Sequence, residues 1–313
     1  MSLNPLSLFR AMPGSIAQGM IWGVMALGVY ITFRLLDFAD LTVDGSIATG
    51  AAVSVMLIRA GVSPIATLPI AFLAGALAGM VTGLLNTALG IPGILASILT
   101  QISLYSINLN IMGKANQPVS VDNYPLVVSL RYVTDGSVSR LLFFLGMIVF
   151  LLALIAVMYW YFGTEQGHAI RATGCNGNMA RAQGINTNFI KVLALMISNG
   201  LVGLCGALYG QFQGYQGFAD INMGRGAIVI GLAAVIIGEV LFGKFASKRK
   251  LAFAFTLASV ILGAVIYYMV YQFVLWLKMP SEDMKLFSAI VVAIFLAIPY
   301  LKEKRTLRKG ASK

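Results

Sequence analysis

Leu141-Leu-Phe-Phe-Leu-Gly-Met-Ile-Val-Phe-Leu-Leu-Ala-Leu-Ile-Ala-Val-Met-Tyr-Trp-Tyr-Phe162 carries no charged side chain from end to end. A helix needs about 20 mostly apolar residues to cross the hydrocarbon of a bilayer, and this stretch supplies them without a break. Inside lipid only a helix or a closed barrel satisfies its own backbone, and an uninterrupted apolar run favours the helix. The same pattern recurs on either side, near 14–33, 46–60, 65–85, 91–112, 189–212, 226–243, 251–275 and 284–301. Together these segments predict an all-α integral membrane protein with about nine transmembrane helices, some broken. The second segment is short, and the fourth carries Pro92, Gly93 and several polar residues, so each also reads as a half-helix or re-entrant element.

Composition agrees with that class. The chain is 59% hydrophobic and 11% charged, whereas soluble domains run at about 45–50% and about 25%. So little polar surface cannot wrap a soluble core of 313 residues, and 1–313 reads as one membrane domain. Only Arg10 precedes the first apolar stretch and no small-residue cleavage site follows it, which predicts a span rather than a signal peptide. Cys175 and Cys205 are too few and too differently placed for a disulfide framework or metal cluster, and read as inert thiols.

The net charge of +11 could suggest nucleic acid, but its distribution points to membrane orientation instead. More than half of the 22 basic residues fall in three places. These are the loop 163–191 with Arg171, Arg181 and Lys191, the loop 243–250 with Lys244, Lys248, Arg249 and Lys250, and a tail beginning at Lys302. Placing them in the cytoplasm puts the long loop 113–140 outside, the C-terminus inside and, with nine spans, the N-terminus outside.

The chain also resembles itself. Phe38-Ala39-Asp40, followed by Gly45, Gly50 and Ala52, matches Phe218-Ala219-Asp220, followed by Gly226, Gly231 and Ala233, after a one-residue gap. Upstream, Gly19 and Gly23 match Gly200 and Gly203. The copies lie an odd number of spans apart, which predicts an inverted-topology repeat: one half over about 14–112, a span and loop over 141–188, the second half over about 189–302, and a basic tail at 303–313. Transporters built this way carry solute at the repeat interface, beside broken helices. Asp40, Asp44, Gly45, Asp220 and Gly226 are therefore the candidate hinge or repeat residues, with the aspartates read as helix caps first and ligands second. Gly75, Gly79 and Gly83, and likewise Gly206, Gly210 and Gly214, read as close-packing motifs.

Reactive groups are scarce. His168 is the only histidine and no cysteine or carboxylate cluster accompanies it, so hydrolase chemistry is poorly supported and the chain is not read as an enzyme. Gly238-Glu-Val-Leu-Phe-Gly243-Lys244 imitates a phosphate loop, but Phe245 replaces the hydroxyl that would bind magnesium, and an apolar helix replaces the preceding strand. Glu239 lies close to a basic loop and reads as interfacial rather than proton-coupling. Ser97, Gln101, Tyr105 and Asn108 recur at three- and four-residue steps and share one helical face, which either lines a translocation path or hydrogen-bonds between helices.

The segment Gly167-His-Ala-Ile-Arg171-Ala-Thr-Gly174-Cys-Asn176-Gly-Asn-Met-Ala180-Arg181-Ala-Gln-Gly184-Ile185-Asn186 mixes a helix-compatible stretch with glycine ends and two arginines. It reads either as a solvated basic loop or as a cytoplasmic helix docking into another protein.

Three stretches resemble the permease subunits of bacterial ATP-binding-cassette importers of the branched-chain amino acid and ribose type. They are Leu36 to Ser46 with Gly50, the segment Arg171 to Ile185, and Gly231 to Gly243, within a resemblance covering about 15–300. Asp40-Leu-Thr-Val-Asp44-Gly-Ser and Gly93-Ile-Leu-Ala-Ser-Ile-Leu-Thr100 are similar to a subgroup linked to aromatic amino acid uptake.

The resemblance implies a type II importer-like fold in the bacterial plasma membrane and an ATPase-coupling role for Arg171, Gly174, Asn176, Ala180, Arg181 and Gly184, with a helix over 176–184. It implies three partners besides lipid: an ATPase subunit that holds the ATP and magnesium, an extracytoplasmic substrate-binding protein, and a second permease copy in a homodimer. No cofactor on this chain is implied. An ATP-independent carrier, an importer of sugar or nucleoside, and a membrane scaffold without transport are the alternatives that residue chemistry leaves open.

Overall fold

A computed structural model describes residues 5–120, 123–124, 126–129, 139–212, 217–246 and 251–277, and the single positions 286, 289, 290, 293 and 297. The chain begins with α1 (Pro5–Tyr30), continued by one π-helical turn (Ile31–Leu35), then α2 (Val43–Arg59), α3 (Pro64–Thr87) and α4 (Gly93–Met112). After β1 (Asn116–Val119) come α5 (Ser139–Phe162), α6 (Glu165–Cys175), α7 (Gly177–Ala182), α8 (Thr187–Phe212), β2 (Gly217–Asp220), α9 (Ala227–Ala246) and α10 (Ala252–Trp276). The two strands form a short antiparallel ladder from Asn116↔Asp220 to Val119↔Gly217, the only sheet among the described residues.

Six helices among the described residues are long and apolar enough to cross a membrane: Ser7–Leu35, Pro64–Thr87, Gly93–Met112, Arg140–Phe162, Thr187–Phe212 and Ala252–Trp276. The fourth expected segment is thus a continuous helix with Pro92 at its N-cap, where the missing N–H costs nothing. The short ones are α2, with 17 residues, and the apolar part of α9, Ala227–Gly243. Most of the expected ninth span, 284–301, and the tail 303–313 lie outside the described residues.

Small residues set how the helices meet. A Cβ on Gly50 would lie 1.9 Å from the carbonyl oxygen of Gly203, one on Gly75 2.1 Å from that of Asn199, and one on Gly206 2.1 Å from that of Ile47. α2 and α3 therefore touch α8 backbone to backbone. Hydrocarbon tails are as apolar as the helices, so association in lipid depends on such close packing rather than on expulsion of water. Both glycine triplets serve this purpose at the positions described; Gly214 lies outside them.

These contacts also give the helix directions. Gly75, Gly79 and Gly83 meet Asn199, Leu195 and Val192 in turn, so α3 runs antiparallel to α8. Ser46 bonds Asn199 while Ala51 meets Gly210, so α2 runs parallel to α8. Around α1 the pattern is equivalent: Gly19 and Gly23 meet Val265 and Ile261 of an antiparallel α10, and α9 runs parallel to α1, with Gly231 on Val29 and Glu239 paired with Arg34. α1 and α8 are themselves antiparallel, since Ser198 donates to the Gly28 carbonyl while Trp22 stacks edge-on with Tyr209.

Gly50→Ala is expected to lower the stability of the detergent-solubilised protein by about 1–3 kcal/mol, because backbone rather than a yielding side chain must move. At Gly146, in the middle of α5, an added methyl group would meet nothing within 4 Å, so Gly146→Ala is expected to be neutral or to stabilise by up to about 1 kcal/mol through helix propensity. Thermal unfolding checks both, and equal behaviour of the two variants would contradict the contact.

Candidate functional site

The site begins where α1 stops. Its last turn widens, with Leu36 N–H donating to the Ile31 carbonyl and Phe38 N–H to that of Thr32, and Asp37 adopts φ +54° before the chain extends. Asp40 is 2% exposed. One carboxylate oxygen accepts from Thr42 N–H at 2.9 Å and the other from the side-chain amide of Asn199 at 2.6 Å. Asn199 in turn accepts from the Ser46 hydroxyl at 2.6 Å. The Thr42 and Thr82 hydroxyls lie 2.7 Å apart, and Thr82 donates to Thr100 at 2.9 Å. One polar thread thus ties the start of α2 to α8, α3 and α4, and satisfies groups that lipid could not.

The second break follows α8. Asp220 accepts from Asn222 N–H at 2.7 Å, the same local turn that Asp40 makes with Thr42. Gly226 takes φ +85°, and α9 begins at the next residue. Its first N–H groups are capped from across the bundle: Asp44 accepts from Gly226 N–H at 2.9 Å and from Ile228 N–H at 3.0 Å. A carboxylate placed where it would favour its own helix α2 therefore also caps the opposing one. A Cβ on Gly224 would lie 1.9 Å from the Asp44 carbonyl, so the two helix starts are in backbone contact. Gly45 beside it packs on Gln101 and Leu104 in the middle of α4.

Two cavities flank this junction. The first, about 350 Å³, is lined by Asp44, Gly45, Gln101, Tyr105, Asn108 and Arg225 among others. Three of the four polar residues expected on the face of α4 come together here, whereas Ser97 is buried to one side with its hydroxyl on the Ile94 carbonyl at 2.8 Å. Neither atom of the Asn108 amide has a hydrogen-bond partner among the described residues. The second cavity, about 510 Å³, is lined by Gln18, Trp22, Tyr209, Tyr267, Tyr268, Tyr271, Arg225 and Gly226 among others. Its aromatic wall comes from α1, α8 and α10, so periodicity within any one helix does not reveal it. Arg225 borders both cavities, and no motif or spacing in the sequence marks it.

The expected coupling segment divides into inward and outward parts. Arg171 lays its guanidinium 4.2 Å from the Phe253 ring centre and 5.8 Å from that of Phe162, a cation–π clamp onto α10 and α5. A Cβ on Gly174 would sit 2.0 Å from the Leu35 carbonyl, so α6 lies directly on the widened end of α1. Asn176 caps α7 by accepting from Met179 N–H at 3.0 Å, and Ala180 is buried. Gly184, at φ +82°, closes the turn as Ile185 N–H donates to the Ala180 carbonyl. The helix is thus Gly177–Ala182, with Asn176 and Gly184 as its punctuation. Facing outward are Arg181, which donates to the Thr187 hydroxyl at 2.8 Å, and Met179, 61% exposed. The phosphate-loop imitation lies inside α9, where backbone N–H groups are engaged in the helix rather than turned toward an anion.

A helical membrane bundle with two helix starts meeting between polar and aromatic cavities is the architecture of a solute-transport protein. The sequence profile of the family described as branched-chain amino acid transport system / permease component matches residues 12–299. The chain belongs to this family and is a transmembrane permease subunit of an ATP-binding-cassette importer. It is 39% identical over 282 residues to the tyrosine transport system permease protein of Clostridioides difficile (strain R20291), covering 90% of this chain and 89% of that protein. It is 32% identical over 287 residues to the uncharacterized protein RP368 of Rickettsia prowazekii (strain Madrid E), covering 90% and 95%. The autoinducer 2 import system permease protein LsrC of Yersinia pseudotuberculosis (serotype O:3, strain YPIII) is 28% identical over 262 residues, covering 82% and 68%. No solved structure matches the chain.

Asn199→Ala removes the donor to Asp40 and the acceptor of Ser46, and is expected to cost about 1–3 kcal/mol of stability. Asp44→Ala, which uncaps α9, is expected to cost about 0.5–2 kcal/mol. In a double-mutant cycle of Asp40 and Asn199, unfolding free energies should be non-additive; strictly additive losses would contradict the bond between them.

Proposed function

We propose that this permease conducts an aromatic amino acid along a path that passes the meeting point of α2 and α9. The observation that carries this reading is the junction itself: two helix starts in contact, that of α9 capped by Asp44 from α2, with an amide-lined cavity on one side and a tyrosine-rich cavity on the other. Cavities of about 300–1,000 Å³ are the usual size for small-molecule sites, and stacked aromatic walls favour a ring-bearing solute. The relative named for tyrosine transport supports the same class.

The exchanged contacts of α1, α2 and α3 with those of α8, α9 and α10 support an inverted repeat, in which Asp40 and Asp220 are equivalent turn residues. The end bearing α6 and α7 is cytoplasmic and receives an ATPase subunit on Met179 and Arg181, while Arg171 and Gly174 transmit movement to α10 and the end of α1. The N-terminus then lies outside and the C-terminus inside. ATP and magnesium belong to that partner, a binding protein delivers solute to the opposite end, and a second copy of the chain covers the exposed, partly polar face of α4 around Tyr105.

The complex assembled with its ATPase and binding protein in proteoliposomes should accumulate L-tyrosine only with ATP. Arg181→Glu combined with Met179→Glu should abolish co-purification of the ATPase while leaving membrane insertion intact, because together they turn a basic, apolar exposed face of α7 acidic. Uptake that persists without nucleotide would replace this reading by an ATP-independent carrier. Uptake of a sugar or nucleoside in place of the amino acid would overturn the substrate class.

A further inference from the structure

Arg225 is exposed, and its guanidinium makes no hydrogen bond or ion pair with the described residues. It precedes Gly226, whose N–H is held by Asp44, so the junction of α2 and α9 sets its depth. From Gly226 to Glu239, which pairs with Arg34 at the coupling end, α9 rises about 20 Å at about 1.5 Å per residue. That sets Arg225 well away from the coupling end, exposed beside both cavities, where a cation can meet an anionic group of a solute. Glu239 is engaged by Arg34, and the carboxylate nearest Arg225 along the cavity wall, Asp44, is committed to the N–H groups of α9.

Two further groups on the same cavities await partners. Asn108, 1% exposed, leaves both atoms of its amide unpartnered in the first cavity. Trp22, 3% exposed, leaves its indole N–H unpartnered in the second, with Tyr209 and Tyr268 rings 5.3 and 5.6 Å away. Burying unsatisfied donors and acceptors costs stability unless something supplies the missing bonds. A cation, an amide with a free acceptor, and an aromatic wall with a free donor match the groups that tyrosine carries: a carboxylate, an ammonium and a ring whose hydroxyl can accept from the Trp22 N–H.

We infer that Arg225, which borders both cavities, binds the carboxylate of the amino acid as it passes the junction, the Asn108 amide oxygen accepting from its ammonium group in the first cavity and Trp22 and Tyr268 receiving its ring in the second. This rests on the amino-acid reading above and names the residues that recognise the solute within the permease itself. The guanidinium offers a planar fork to the carboxylate, which a lysine cannot reproduce. An anionic lipid headgroup offers Arg225 the same charge, so the test separates the two sources.

The test uses the assembled importer with its ATPase and binding protein, reconstituted once in purely zwitterionic lipid and once with anionic lipid added, and measures ATP-dependent L-tyrosine uptake. Arg225→Gln should reduce uptake by about 10- to 100-fold in both lipids, the loss of one charge-assisted pair, while the ATPase still co-purifies. Asn108→Ala should reduce it by a smaller factor. Should Arg225→Gln fail to assemble, Arg225→Lys keeps the charge and loses the fork, and is expected to assemble and transport below the wild-type rate.

Wild-type rates in the assembled Arg225 and Asn108 variants would overturn the inference and leave amino-acid import standing. A defect confined to anionic lipid would reassign Arg225 to a headgroup and equally overturn it. A wild-type complex that takes up no amino acid would instead overturn the reading on which the inference rests, before any variant is compared.

Discussion

The bond from Asn199 to Asp40, 2.6 Å long and buried, is the constraint on which the rest of the bundle depends. It fixes the break after α1 to the middle of α8, and the shared acceptor role of Asn199 toward Ser46 aligns α2 along the same helix. A carboxylate in lipid has no water to turn to, so the chain must bring a donor to it or leave it unpaired at large cost. The net worth of such interhelical bonds is modest, about 1–2 kcal/mol or less. Their consequence here is positional: with α2 held there, Asp44 reaches α9, and both cavities open beside the junction.

Glycine makes that arrangement possible. Gly50, Gly75, Gly203 and Gly206 let the backbones of α2 and α3 converge on α8 at distances that exclude any Cβ. Close-packed helices of this kind transmit displacement as rigid bodies, since small residues leave no soft side chains to absorb it. The same principle operates at the opposite end, where Gly174 rests on the Leu35 carbonyl and Arg171 grips Phe253. Contacts from α6 thus reach both the end of α1 and α10, and both of those helices line the aromatic cavity.

Much of the fold was legible because its signals are local. Apolarity over about 20 residues is enough to require a helix in lipid, and the expected segments from 14–33 to 251–275 each lie on a helix. The resemblance implied a short helix over 176–184, and the helix found is Gly177–Ala182, capped by Asn176 and closed by Gly184 at positive φ. The polar stripe of α4 was equally visible, but periodicity alone could not separate Ser97, which turns back to its own helix, from Gln101, Tyr105 and Asn108, which reach a cavity. Arg171 and Arg181 looked alike as basic loop residues; one stacks inward and the other faces out, a distinction made by Phe162 and Phe253 far along the chain.

The sequence by itself determined that this chain lies in a membrane, where its helices run, and which paired Phe-Ala-Asp segments interrupt them. Only the tertiary structure decided that Asp44 caps α9, that Asn199 holds Asp40, and that Arg225 joins an amide-lined cavity to one walled by Trp22, Tyr209 and Tyr268. The reason is physical. Hydrophobic length and turn chemistry act over a few residues, whereas a cavity is the space left when helices distant in sequence pack on their glycines, and its lining is set by their crossing rather than by any one of them.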